Sequence, residues 1–242
     1  MLVKSAARTD RGKVRERNED AFINYPDRKI WVVADGMGGH EHGELASRMV
    51  VEAVADIQLA DDFNDRIKQV TTALRQVNKA FTQDKTVIQG QPPTVMGSTV
   101  VVLLIDSCRM ACIWAGDSRC YLFRRNNIYQ VTKDHALWQE LVDEQALSEK
   151  EAQQQKGSFA LTRAIGASDE LHLEIVEMEI ISGDKFLLCS DGVYQHIQYN
   201  QLYQAMTKPS PQLAVEQLFL DVLATEAKDN LTAIVVVSHE IR

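Results

Sequence analysis

Short, uninterrupted apolar runs alternate along this chain with longer stretches in which apolar residues recur every three or four positions. Runs such as Ile30-Trp31-Val32-Val33-Ala34 and Phe186-Leu187-Leu188-Cys189 have the length of strands. Their lack of polar alternation predicts strands covered on both faces. Residues 20–25 and 30–35 read as a first strand pair around Pro26-Asp27. Helical spacing follows. Leu45, Ala46, Met49, Val50, Ala53, Val54 and Ile57 share one face of a helix over about 44–59, and Ile67, Val70, Leu74, Val77 and Phe81 share one face of another over 63–83. Beyond the Pro92-Pro93 break, strands are predicted at 98–105, 110–115, 120–124 and 128–131, with Asn126-Asn127 as the turn between the last two. Residues 136–155 predict a polar helical segment in which Ser148-Glu149-Lys150-Glu151 forms a capping box. Strands return at 172–181 and 185–190, joined by Gly183-Asp184. Two helices follow, the second opened by Ser210-Pro211 as N-cap and first helical residue, and a strand at 232–238 closes the chain. The hairpin-like links favour an α+β fold of antiparallel sheets covered by helices over a doubly wound parallel sheet.

Composition narrows this picture. No Pro/Gly/Ser-rich linker or internal repeat divides the 242 residues, so a single domain over 1–242 is expected. An apolar fraction of 45% and a charged fraction of 25% are those of a soluble globular protein. A net charge of −8 argues against nucleic acid as a partner, because a phosphate backbone needs a basic stripe. Cys108, Cys112, Cys120 and Cys189 form no CxxC pair and lie in or beside apolar stretches, which predicts buried, reduced thiols. The opening residues lack the apolar core of a signal peptide, and no apolar run approaches ~18 residues. Cytoplasmic placement without membrane insertion is therefore expected.

The chemistry gathers where apolar runs end. Asp35-Gly36 and Asp191-Gly192 each put a carboxylate at the end of a buried strand, beside a residue that leaves the backbone room to turn. Asp117 closes another run, Asp229-Asn230 opens the last one, and Asn18-Glu19-Asp20 lies near the start. Carboxylates gathered at strand ends repel one another and resist ionisation unless something positive joins them. A divalent cation is the usual solution, and oxygen-only ligands suit a hard one such as Mg²⁺ or Mn²⁺. A cysteine-based phosphate chemistry would need Arg six positions after Cys, but Trp114, Ser118, Asn126 and Gln195 stand there. No GxxxxGK[ST] loop is present either. His40-Glu41-His42 lacks the further ligands that zinc requires.

Six segments occur in order: Asp10 to Asp20, Asp35-Gly36-Met37-Gly38-Gly39-His40, Gly116-Asp117-Ser118-Arg119, Leu161 to Gly166, Ser190-Asp191-Gly192 and Asp229-Asn230-Leu231-Thr232. Together they resemble the metal-dependent type 2C protein phosphatases, the PPM family, and most of all its compact bacterial members. The resemblance implies a central sandwich of two antiparallel β-sheets flanked by pairs of α-helices, four layers in all. It implies that Asp35, Asp191 and Asp229 bind one Mn²⁺ or Mg²⁺, that Asp35 bridges to a second ion also bound by the Gly36 carbonyl, and that Glu19 and Asp20 act through metal-bound waters. Asp117, with Asp191, matches the site of a third ion. Arg15 matches the arginine that grips the substrate phosphate, as its planar fork suits two phosphate oxygens. The implied reaction is hydrolysis of phosphoserine and phosphothreonine in proteins by in-line attack of a metal-bridging water. In many relatives an acid histidine directly follows Asp-Gly. Met37 stands there in this chain, so His40 and a metal-bound water are both open as the general acid. His135 matches a family position and is expected to hydrogen-bond structurally. Residues 136–160 correspond to a flap, whose polar stretch Gln153 to Ser158 is expected to be mobile and to influence substrate choice. Phosphorylated proteins, a Ser/Thr kinase and that kinase's substrates are the implied partners of a monomer. A phosphatase of small phosphoesters and a catalytically silent phospho-binding regulator are the alternatives.

Overall fold

Strands that are apolar on both faces need cover on both sides, and this chain supplies it by stacking two sheets between two helical layers. The computed structural model describes residues 2–38, 42–83 and 96–239. Its strands are β1 (Leu2–Asp10), β2 (Asp20–Tyr25), β3 (Ile30–Met37), β4 (Gly97–Ser98), β5 (Val100–Asp106), β6 (Arg109–Ala115), β7 (Arg119–Arg124), β8 (Asn127–Gln130), β9 (Glu174–Glu179), β10 (Lys185–Cys189) and β11 (Leu231–His239). The helices are α1 (His42–Ala55), α2 (Phe63–Gln83), α3 (Leu137–Gln145), α4 (Glu149–Gln153), α5 (Asp191–Tyr194), α6 (Tyr199–Met206) and α7 (Pro211–Leu223). One sheet runs β1-β11-β10-β7-β8 and the other β2-β3-β5-β6-β9, with β4 paired to β3. The paired strands are antiparallel, as expected.

Strand β5 shows why its run is continuously apolar. Val100, Val102 and Leu104 pack with α1 and α2, while Val101, Leu103 and Ile105 pack into the layer between the sheets. In β11 the same alternation sends Leu231, Ala233, Val235 and Val237 toward α6 and α7, and Ile234 and Val236 between the sheets. The result is the α-β-β-α sandwich with flanking helix pairs. Parity also aims the first acidic residue: Asp35 shares the β3 face of Trp31 and Val33, which lies between the sheets.

Several local expectations hold. The second helix has the predicted bounds, Ser148 and Glu151 form the reciprocal capping box, and the Ser210 hydroxyl accepts from Leu213 N–H at the start of α7. Others are corrected. The first helix ends at Ala55, where the Arg28 guanidinium binds the carbonyls of Ala55 and Ile57 and so caps it. The segment 136–155 breaks into α3 and α4 at Ala146, which takes a left-handed φ of 52°. The β7–β8 turn is Arg125-Asn126, both at positive φ, and Asn127 belongs to the strand. Gly183-Asp184 joins strands of different sheets, with buried Asp184 held by Arg124 at 2.6 Å. Three helices, not two, lie between β10 and β11. Cys108 is exposed, whereas Cys112, Cys120 and Cys189 are buried and free. Strand β1, absent from the sequence reading, pairs with β11 from Leu2↔His239 to Asp10↔Leu231. Only Ala6 of β1 is fully buried, so this edge strand carries little apolar signal of its own. Among the described residues no helix is long and apolar enough to cross a membrane.

Candidate active site

A cavity of about 340 Å³ opens at one end of the sandwich, where both sheets deliver strand ends. Arg15, Glu19, Asp35, Gly36, Asp117, Asp191 and Asp229 all line it, although they are spread over most of the chain. Asp20 lies behind them, directly opposite Asp35 in the β2–β3 register. Like charges facing each other across a strand pair are destabilising, so this pairing alone asks for a counter-charge. Of the expected site residues, His40 falls outside the described residues.

The backbone around the cavity is tied down tightly. Asn230 accepts from Glu19 N–H at 2.8 Å and donates to the Arg11 and Arg17 carbonyls, which fixes the Asp10–Asp20 segment over the start of β11. Gly36 N–H donates to the Glu19 carbonyl at 3.0 Å. A side chain at position 36 would bring Cβ to 1.9 Å from the Gly43 carbonyl oxygen, and one at position 192 to 2.0 Å from that of Asn230. The two Asp-Gly pairs are thus explained by close backbone approach. Asp35 N–H donates to the Thr99 hydroxyl at 3.0 Å, and that hydroxyl meets Ser118 Oγ at 2.7 Å. The Ser190 hydroxyl donates to Asp20 Oδ2 at 2.7 Å and accepts from Thr232 N–H, linking β2 to β10 and β11. His135 stands outside the cavity. Its Nδ1 accepts from Gly116 N–H at 3.1 Å, while Nε2 lies 3.2 Å from Glu174 without the alignment of a good hydrogen bond. Burial lowers its pKa, so it is a neutral brace for the turn that carries Asp117.

The carboxylates resist ionisation. Burial, then the surrounding acids, pushes Asp35 well above its ordinary value. Burial followed by the Asp191 charge pushes Asp117 up to about 7. Asp20 is pushed up to about 7 by burial, against the lowering effect of its Ser190 and Thr232 hydrogen bonds. Asp191, raised to about 6 mainly by burial, is within hydrogen-bonding reach of Asp35. Arg15 neutralises part of the cluster through a 2.7 Å ion pair with Asp229. Buried Asp20 Oδ1 and Asp191 Oδ1 have no hydrogen-bond partner. Among the described residues, no trio of His, Cys, Asp and Glu side chains closes on one point; the acids ring the cavity instead. An all-oxygen ring with partnerless buried carboxylate oxygens fits hard divalent cations.

Thr99, Tyr194 and Gln195 were not singled out from sequence. Tyr194 donates to Asp117 Oδ2 at 3.3 Å and Gln195 to Asp191 Oδ2 at 2.8 Å. Nothing in a lone Thr, Tyr or Gln signals such a role. Only their proximity to Gly97-Ser98 and Asp191-Gly192 hints at it.

A two-sheet sandwich with an acidic, cation-accepting cavity between its sheet ends defines the class. Comparison with known proteins gives the family. The profile described as protein phosphatase 2C matches residues 10–235. The serine/threonine protein phosphatase PstP of Mycobacterium tuberculosis is 32% identical over 236 residues, which is 97% of this chain but 45% of that protein. The chain thus spans about half the length of that relative. Among solved structures, PppA, a key regulatory component of T6SS in Pseudomonas aeruginosa, superposes with a TM-score of 0.89 at 33% identity, covering 98% of each chain. The PstP catalytic domain in complex with two manganese ions superposes with a TM-score of 0.84 at 31% identity, covering 98% of this chain and 99% of that one. The chain belongs to the protein phosphatase 2C family.

Proposed function

We propose that this protein is a metal-dependent protein serine/threonine phosphatase, with residues 1–242 forming one catalytic domain. The observation that carries this reading is the convergence of Arg15, Asp35, Asp117, Asp191 and Asp229 in one cavity. Asp35, Asp191 and Asp229 would hold one Mn²⁺ or Mg²⁺, and Asp35 with the Gly36 carbonyl a second. Glu19 at the cavity wall and Asp20 behind it would act through metal-bound waters, and Asp117 with Asp191 would hold a third ion. PstP, which carries two manganese ions in its structure, is the precedent for the metal. Bound there, the cations would make hydroxide available near neutral pH and offset charge on the phosphoryl oxygens.

The chain's own residues do the rest. The Arg15 side chain is half-exposed and meets Asp229 through one terminal nitrogen. Its other guanidinium N–H groups can donate to phosphate oxygens in a forked contact. Thr99, Asn230 and the close-packed Gly36 and Gly192 hold the acids in place, so that little reorganisation is needed when phosphate enters. Water oxygen bonds to phosphorus opposite the seryl or threonyl oxygen. The P–O ester bond breaks, and the leaving oxygen takes a proton, giving the free hydroxyl and inorganic phosphate. His40 and a metal-bound water are our two candidate donors of that proton, since Met37, which lines the cavity after Gly36, has none to give. No cysteine lines the cavity among the described residues, which agrees with direct hydrolysis. We further propose cytoplasmic placement, a monomeric state, and opposition to a Ser/Thr kinase acting on the same phosphoproteins.

The test is hydrolysis of a phosphothreonine peptide with Mn²⁺, with Mg²⁺ and with chelator, by the wild type and by Asp191→Asn. Metal-dependent release of phosphate that is lost in the variant supports the reading. No release by folded protein with either metal, or release that survives both chelator and substitution, overturns it.

A further inference from the structure

Beside the carboxylate cavity lies a second one of about 330 Å³, with Phe159 in the walls of both. Tyr194 and Gln195 line this second cavity yet hydrogen-bond acids that line the first, so they form part of the partition between the two. They follow Asp191 by three and four positions at the end of α5, the spacing that brings side chains to one face of a helix. Gln195 Nε2 reaches back to Asp191 Oδ2 at 2.8 Å, and Asp191 Oδ1 stays buried without a partner. Tyr194 reaches across to the β6–β7 turn and donates to Asp117 Oδ2 at 3.3 Å.

The Tyr194 ring is itself held. The Arg119 guanidinium lies over its face, 3.6 Å from the ring centroid. Arg119 in turn is clamped by the buried Asp134 through two nitrogens, at 2.9 and 2.7 Å, and donates to Tyr121 Oη at 2.9 Å through the third. Because Arg119 follows Asp117 by two residues, the contacts close a loop: along the chain from Asp117 to Arg119, over the ring to Tyr194, and through its hydroxyl back to Asp117. At 3.3 Å the hydroxyl bond is long for O–H···O. The rigidity of the ring's mount, more than the strength of that one bond, is what fixes the carboxylate. The neighbouring acids are held by other groups: Asp35 through its N–H by the Thr99 hydroxyl, and Asp229 by Arg15.

We propose that Tyr194 is a positioning residue for the third cation alone: its hydroxyl orients the Asp117 carboxylate toward the ion that Asp117 shares with Asp191. The proposal rests on the metal-dependent phosphatase reading above. A donor that holds one oxygen of a ligating carboxylate fixes where the other oxygen points, and losing such a donor typically weakens metal binding by about ten- to a hundred-fold. The loss should be confined to one ion, because the Tyr194 hydroxyl bonds Asp117, which the other two cations do not use.

The experiment is a calorimetric Mn²⁺ titration of the wild type, Tyr194→Phe, Asp117→Asn and the double variant, with free Mn²⁺ counted by electron paramagnetic resonance. The Phe side chain keeps the ring and its stacking on Arg119 and removes only the hydroxyl, and circular dichroism checks that each variant is folded. Asp117→Asn identifies the third ion as the binding step it removes. We expect Tyr194→Phe to weaken that same step by about ten-fold and to leave the other steps unchanged. In the Asp117→Asn background the Tyr194→Phe change should have no further effect, because the residue through which it acts is gone. Wild-type affinities in Tyr194→Phe, equal weakening of every step, or an effect that persists in the double variant overturns the proposal and leaves the phosphatase reading intact. So does an Asp117→Asn protein that binds as many ions as the wild type. A folded wild type that binds no Mn²⁺ overturns both.

Discussion

Asp20 offers a direct test of the acidic cluster. It faces Asp35 across β2 and β3, is almost fully buried, and leaves Oδ1 without a partner. Burial, more than any neighbour, raises its pKa from 3.8 to about 7. Below pH 3.8 folded and unfolded chains both hold the proton, and the group costs nothing. As pH rises from 3.8 toward 7, the unfolded chain releases the proton and the folded one keeps it, so the native state loses stability. Above 7 the penalty levels off at about 4 kcal/mol in the cation-free protein. Asp117 at about 7 and Asp191 at about 6 act in the same sense. Asp20→Asn keeps an oxygen to accept from Ser190 and removes the titration. In chelator at pH 8 the variant should therefore be more stable than the wild type, by up to about 4 kcal/mol, and at pH 4 by well under ~1 kcal/mol. Urea unfolding followed by circular dichroism measures both. With saturating Mn²⁺ the advantage should shrink or reverse, because the wild-type carboxylate then has a cation to face. A gain of equal size at both pH values, or none at pH 8, would refute the reasoning.

Further expectations concern the frame around the site. Asp134→Ala strands the Arg119 charge in a setting where the guanidinium side chain is only 15% exposed, so it should cost about 3–5 kcal/mol in urea unfolding; a change near zero would mean that the pair is structurally idle. Gly36→Ala puts Cβ against the Gly43 and Glu19 carbonyls, which should cost about 2 kcal/mol or more and abolish Mn²⁺ binding in calorimetry. In the proposed metal site Asp20, Asp117 and Asp191 would shed protons to meet a cation, so Mn²⁺ affinity should rise between pH 6 and 8, with a binding enthalpy that depends on the buffer's ionisation enthalpy. A thiol reagent should modify Cys108 rapidly in the native chain and reach Cys112, Cys120 and Cys189 only on unfolding.

Much of this was legible in the sequence because it depends on near neighbours. The apolar runs of β3, β5, β10 and β11 and the helical stripes of α1 and α2 report faces that must be buried, whatever buries them. The capping box at Ser148 and the N-cap at Ser210 are likewise local, and the six ordered motifs pointed to the family and the acids. The tertiary structure decided what local pattern does not encode. Strand β1 exists because β11, more than two hundred residues away, offers it a partner along its whole length. The facing of Asp20 and Asp35 is a matter of register, and the Arg15–Asp229 pair a matter of two distant loops meeting. The breaks at Ala146 and the shifted turn at Arg125-Asn126 follow from backbone angles that side-chain pattern leaves open. Phe159, which the sequence reading placed only within the flap over 136–160, lines two neighbouring cavities, and the residues on either side of it are hydrogen-bonded to the start of α3. Hydrophobic periodicity says which face a residue presents, but packing between distant segments decides what that face meets, and the chemistry of this site lies in those meetings.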